Sequence, residues 1–343
     1  MYIENSILKK YITYWLAMMF WLVALMIVIG GLTRLTDSGL SITEWQLFSG
    51  VLPPLNDSQW NKYFELYKQI PEYKLQNYLM SLDEFKVIFW WEFIHRFLGR
   101  LIGIIFFFPL IYFSTKLGLN KTFNLFVIFI LICLQGFIGW YMVSSGLVNR
   151  LDVSHYRLSL HLVLAFIILS LIFWNFLQYN QINHSKKKIP NIFPFIFLTM
   201  IFIQIIIGAF VSGMDAGKIY NTWPLMGLDY FPDDNSIGKL FSLSAFNEPS
   251  LVQFMHRNLA YLIFIFYLFI MFFIYRNKLA DFFISINVIG LLLFLQIFFG
   301  ILALVSGAQM ILSSMHQICS IFLVCSSIYF LYLNLNTNLQ LSD

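Results

Sequence analysis

Charge is scarce in this sequence: Asp, Glu, Lys and Arg make up 11% of 343 residues, against 59% hydrophobic and 19% aromatic. A water-soluble domain could not cover its surface with so little charge, which excludes an ordinary globular enzyme and makes a bilayer the natural solvent. Cysteine is scarcer still. Cys133, Cys319 and Cys325 lie inside apolar stretches with no C-x-x-C spacing, which excludes a disulfide framework and leaves three small apolar residues expected to be buried. The formal net charge is only +4, and the two long polar loops are net-negative: residues 34–91 carry five basic and seven acidic side chains, residues 213–250 two and five. Nucleic acid is therefore not a partner, and the basic balance is a topology signal.

Long apolar runs take the place of charge. They recur at 12–33, 89–113, 122–143, 158–179, 191–212, 251–275, 282–305 and 311–333. Each is long enough to cross about 30 Å of hydrocarbon at roughly 1.5 Å per residue. The first run exceeds a signal-peptide core and has no small-residue cleavage site, so it is expected to remain as a helix. Lys9, Lys10, Lys116, Lys121, Lys186 to Lys188, Arg276 and Lys278 fall in the short connections on one side. The positive-inside rule assigns that side, and both termini, to the cytoplasm.

Within this pattern lies an internal repeat. "EFIHRFLGRLIGI" from Glu92 and "QFMHRNLAYLIFI" from Gln253 align at an offset of 161, which also pairs Gln135, Gly139, Ser145 and Gly146 with Gln296, Gly300, Ser306 and Gly307. "IGGLTRLTDSGLSITEW" from Ile29 and "IGAFVSGMDAGKIYNTW" from Ile207 align at 178, pairing Gly30 with Gly208, Asp37 with Asp215, Gly39 with Gly217 and Trp45 with Trp223. The expected fold is an all-α membrane protein of eight transmembrane helices, arranged as two pseudo-symmetric four-helix bundles. The halves are 1–182 and 191–343, joined by a cytoplasmic linker at 183–190. With four helices per copy, both copies share one orientation.

Four of the six histidines occupy matched positions: His95 with His256, and His161 with His316. All four are expected in the first turns of even-numbered helices, at one depth near the outer face. His155, in a short outer loop, and His184, in the linker, are expected to be solvated. Ionisable groups inside membrane spans are costly and mark function, and two imidazoles facing across a bundle can supply both axial ligands of a haem iron. Zinc would need further ligands, and none recur in both halves. Arg96 and Arg257 directly follow two of the histidines, and Arg100 and Arg157 lie about a turn from Arg96 and His161; guanidinium groups suit haem propionates. One matched pair breaks the symmetry. Glu92, a turn before His95, faces Gln253 in the repeat, and it either serves the chemistry at His95 or pairs with Arg96 to close the helix start.

Taken together, "GGLTRLTDSGLSITEW", "EFIHRFLGR", "SHYRLSLHL", "DAGKIYNTWPLM", "FMHRNLAY" and "SSMHQ", in this order and spacing, resemble the haem A synthase family (Cox15/CtaA type) over essentially the whole chain. The resemblance implies an oxidoreductase of the bacterial inner membrane that converts the ring methyl of haem O to the formyl group of haem A. It implies a prosthetic haem b on His256 and His316, substrate haem on His95 and His161, and a catalytic role for Glu92. It also implies haem O synthase and cytochrome oxidase assembly factors as partners, and it leaves the electron acceptor open. Some family members carry a cysteine pair in the first outer loop; residues 34–91 here have none. The competing readings are a quinone-linked dihaem cytochrome, in which Glu92 would be incidental, and a haem carrier.

Overall fold

The computed structural model describes residues 6–45, 49–148, 150–180 and 187–336. Eight helices among them are long and apolar enough to cross a membrane. They are α1 (Ser6–Leu35), α2 (Leu82–Leu117), α3 (Leu119–Val143), α4 (His155–Asn180), α5 (Ile192–Gly213), α6 (Pro249–Arg276), α7 (Phe283–Val305) and α8 (Met310–Leu335). Each apolar run of the sequence becomes one of them, because backbone groups without water must be satisfied within the segment, and a helix does that. The protein is an integral membrane protein. After α1 and α5 the chain turns through the same left-handed residue, Asp37 (φ 47°) and Asp215 (φ 51°), matched at the offset of 178. Aspartate tolerates this conformation better than most residues with a Cβ.

Packing divides the chain into two compact units, Trp21–Ile168 and a second formed by Met1–Phe20 with Leu169–Asp343. In the second unit α5 packs on α6, α6 on α7, α7 on α8, and α8 back on α5, closing a four-helix ring. The end of α4 joins it: Trp174 meets Tyr332 edge-on at 5.4 Å, and the Tyr332 hydroxyl donates to the Leu177 carbonyl (3.2 Å).

The first unit carries a feature that no apolar run announces. Two short helices, Asp57–Tyr67 and Pro71–Leu75, lie in the loop between α1 and α2. Buried Phe64 and Tyr67 of the first, with Ile70 between the two, form one core with Phe85, Ile88 and Phe89 of α2. For the same reason α2 starts seven residues before its apolar run. Ser81 and Glu84 form a reciprocal capping box at its start, and the first turns bury one face on the loop while Asp83 and Lys86 stay outside. His95 therefore lies between three and four turns into α2 rather than in its first turns.

Inside this loop core sits a buried carboxyl. Glu72 Oε1 accepts hydrogen bonds from the Tyr67 hydroxyl (2.9 Å) and from Asn77 Nδ2 (3.3 Å). Burial pushes its pKa from 4.5 up to about 8, against the smaller lowering effect of the Tyr67 bond. Below pH 4.5 Glu72 is neutral whether the loop is folded or open, and above that only the open form ionises. Loop stability is thus expected to fall as pH rises from about 5 to about 8 and to level off beyond. Amide protection factors across residues 67–77, which set aside the intrinsic rise of exchange with pH, should fall over this window, and Glu72→Gln should remove that fall; an unchanged protection profile in that variant would refute the assignment.

Candidate functional site

The four matched histidines adopt one arrangement four times. Each stands on an even-numbered helix with the edge of its ring on a glycine of the preceding odd-numbered helix. A Cβ added to Gly30 would lie 2.8 Å from His95 Cε1; the corresponding distances are 3.0 Å for Gly139 and His161, 3.0 Å for Gly208 and His256, and 2.9 Å for Gly300 and His316. Any side chain at these positions would push the ring away. A glutamine one turn before the glycine holds three of the four rings. Gln135 Nε2 lies 3.2 Å from His161 Nδ1, and Gln204 Nε2 lies 3.2 Å from His256 Nδ1. Gln296 Nε2 lies 3.1 Å from His316 Nε2, while His316 Nδ1 donates to the Gln296 carbonyl (2.9 Å). Gln204 escaped the repeat reading, although the spacing Q-x-x-x-G, present at 135–139, 204–208 and 296–300, carries it.

The rings then pair. His95 and His161 have centroids 6.4 Å apart with planes 29° from parallel, and His256 and His316 have centroids 6.4 Å apart at 68°. With a metal–imidazole bond of about 2 Å and roughly 1 Å from ring nitrogen to ring centre, an iron midway between two imidazoles sets the centroids roughly 6 Å apart. Both pairs fit a bis-histidine haem. Two of the glutamines fit it too: Gln135 Oε1 and Gln204 Oε1 are buried with no hydrogen-bond partner among the described residues, and turning either amide over brings that oxygen to the histidine Nδ1, while His316 Nδ1 already has the Gln296 carbonyl. A ring that binds iron through Nε2 carries its proton on Nδ1, and an amide oxygen is the group to receive it. Among the described residues no cluster of three or more His, Cys, Asp or Glu is placed to hold a metal ion.

Around each pair an arginine is spent on backbone. Arg96 Nη2 donates to the Ile42 carbonyl (2.8 Å) and Nη1 to the Glu44 carbonyl (3.3 Å). Arg257 Nη2 donates to the Tyr220 carbonyl (2.8 Å) and Nη1 to the Thr222 carbonyl (2.9 Å), two positions that match 42 and 44 at the offset of 178. These two arginines fasten the preceding loop to the histidine helix. Arg100 and Arg157 belong to the first half alone, since their repeat positions hold Tyr261 and Leu312. Arg100 lines a small cleft with Ile42, Tyr63, Phe93 and Arg96, and Arg157 stacks on the Tyr141 ring at 3.7 Å while donating to the Tyr141 carbonyl (2.6 Å).

Glu92 is 3% exposed and saturated. Its Oε1 accepts from Arg96 Nε (3.0 Å) and Nη2 (2.6 Å), its Oε2 from the Ser41 hydroxyl and the Ile42 amide (2.7 Å each). Charge-assisted bonds of this kind suit an ionised carboxylate. Sequence reasoning placed Arg96 beside Glu92 but not Ser41 or Ile42, which lie some fifty residues away. The matched Gln253, 2% exposed, makes one bond, from Nε2 to the Tyr220 carbonyl (3.1 Å).

The other residues singled out stand apart. His155 opens α4 and is half-buried, its ring 4.2 Å from Tyr156. His184 lies outside the described residues, as does part of the 183–190 linker. Cys325 is buried and Cys319 half-buried, but Cys133 is exposed on α3, where lipid rather than protein would cover it.

Eight membrane-crossing helices and two facing pairs of imidazoles, each seated on glycine, define a polytopic membrane protein with two bis-imidazole sites. The chain belongs to the COX15-CtaA family, the cytochrome oxidase assembly proteins, whose model matches residues 13–328. The "Heme A synthase" of Pelagibacter ubique (strain HTCC1062) is 51% identical over 340 residues, covering 98% of this chain and all of its own length. Proteins of the same name from Maricaulis maris (strain MCS10) and Rickettsia bellii (strain OSU 85-389) are each 42% identical, covering 93% and 92% of this chain and 95% and 96% of their own.

Proposed function

We propose that this chain makes haem A by oxidising the ring methyl of haem O to the formyl group, with the substrate haem on His95 and His161 and a prosthetic haem b on His256 and His316. Full-length similarity to proteins named for that synthesis supports the reaction. The repeated imidazole pair with 6.4 Å between centroids is the observation that carries the haem sites. Iron, when bound, supplies the redox chemistry.

The chain supplies position and charge. The glycine notches seat each ring, and the Arg96 and Glu92 clamp fastens the loop at Ser41, Ile42 and Glu44 to α2 on either side of His95 in sequence. Arg100 and Arg157 are the cations special to that half, and they serve the propionates of the haem bound there. Arg96, Arg257 and Arg157 already give guanidinium hydrogen bonds to backbone carbonyls, so they reach a propionate only alongside that task. Glu92 is the buried carboxylate one turn from His95, and a proton taken from the reacting methyl or from water would rest on it once one of its four donors, such as the Ser41 hydroxyl, turns away. The clustering of lysines in the short connections supports cytoplasmic termini, with the histidine-bearing ends toward the opposite face of the inner membrane.

Pyridine-haem analysis of the purified protein, with the extracted haems separated by type, tests this. Haem B together with O or A is expected. Haem B alone, at two per chain, would overturn it in favour of a dihaem electron-transfer cytochrome.

A further inference from the structure

Three of the four histidines share a device that the fourth lacks. Counting back one turn from each notch glycine gives Gln135, Gln204 and Gln296, but for Gly30 it gives Met26. Met26 aligns with Gln204 at the same offset of 178 that pairs Gly30 with Gly208. Its side chain reaches across to α2: the Met26 methyl lies 3.2 Å from where a Cβ on Gly99 would stand, one turn beyond His95. His95 Nδ1 is buried beside Gly30 with no hydrogen-bond partner among the described residues. By contrast, Nδ1 of His161 and of His256 meets a glutamine side chain, and Nδ1 of His316 meets the Gln296 carbonyl.

We propose that Met26 makes His95 the most readily displaced of the four axial ligands, and so marks the first site as the one where haem is exchanged rather than kept. This rests on the two-site reading above. A histidine bound to iron through Nε2 has a proton on Nδ1, and an acceptor for that proton both fixes the ring and strengthens the nitrogen as a donor. A glutamine can turn its oxygen toward that proton; a thioether accepts weakly and offers no second group. Ligand strength therefore differs between the halves through one residue, on the helix that faces His95. In a resident cofactor a firmly held ligand pair is an advantage, whereas a substrate haem must leave after each turnover. Met26 is accordingly a positioning residue acting through His95.

Carbon monoxide provides the test, because it binds ferrous haem only where a protein ligand has left. The full-length protein, loaded with haem O and reduced, should take up carbon monoxide at the first site and resist it at the second. Met26→Gln should slow uptake at the first site about tenfold, the lower end of what removing or supplying such a partner does to metal sites. Met26→Leu keeps the volume without an acceptor and should match the wild type, which separates hydrogen bonding from packing. Gln204→Met should open the second site to carbon monoxide. A rate in Met26→Gln within about twofold of the wild type, or a slowing in Met26→Leu as large as in Met26→Gln, would overturn the proposal. His95→Ala and His161→Ala distinguish the two failures: if neither changes haem content or spectrum, the first pair holds no haem and the two-site reading falls with the proposal. If both do, an unmoved rate in Met26→Gln counts against the role of Met26 alone.

Discussion

Glu92→Gln is expected to keep the fold and the second-site haem while haem A formation drops by a factor on the order of a hundred to ten thousand, the range typical for losing a positioned acid or base. The reason lies in what Gln253 shows. The matched helix turn folds with a neutral amide at this position, 2% exposed, and its arginine still clamps the loop through the Tyr220 and Thr222 carbonyls. A carboxylate is thus not needed to build the turn. It brings a buried negative charge one turn from His95 in the half assigned to the substrate. The clamp has its own signature, since Arg96 spans both Glu92 and two loop carbonyls. Arg96→Gln should therefore loosen the loop, seen as faster proteolysis within residues 50–80, whereas Glu92→Gln should leave that protection largely intact. If Glu92→Gln makes haem A at near the wild-type rate, or loses activity only in step with loop release, the carboxylate is structural.

The second large effect concerns how haem is partitioned. Replacing His256 or His316 with alanine should remove the low-spin b spectrum, because in the proposed assignment each ring is one of two ligands, and the side chains beside them, Gln204 and Gln296, are amides that make poor iron ligands. Replacing His95 or His161 should leave that spectrum nearly unchanged and abolish product. Optical spectra and haem extraction on the four variants measure both. Loss of the b spectrum in a well-folded His95 or His161 variant would show that haems are not divided between the pairs.

Much of this arrangement could be read in the chain because of the repeat. A lone histidine in a membrane helix says little, but His95 and His256, or His161 and His316, at constant offsets carry a message that composition lacks. Gly30, Gly139, Gly208 and Gly300 were visible as matched positions, though not as ring seats, since nothing in a glycine names what approaches it. Gln204 and Met26 were missed because the alignment at 178 was anchored from Ile29 and Ile207 onward, a turn too late to include them. The helices at Asp57–Tyr67 and Pro71–Leu75 were not legible from apolar runs, being short and half polar. They are held by Phe64 and Tyr67 against Phe85, with ring centroids 5.1 and 5.2 Å apart. The early start of α2 was spelled out by Ser81 and Glu84, but a search for hydrophobic length passes over a capping box.

The paired arginine clamps bear on how two copies of one unit drift apart. Arg96 and Arg257 grip carbonyl oxygens, which every residue possesses, so Ile42 and Glu44 in one copy can become Tyr220 and Thr222 in the other without loosening the grip. Positions held in this way are free to accumulate change while the architecture persists. Contacts made through side chains behave differently, because altering one partner alters the chemistry at once. Glu92 against Gln253 and Met26 against Gln204 are contacts of that second kind, and it is there that a duplicated scaffold can acquire two separate occupations.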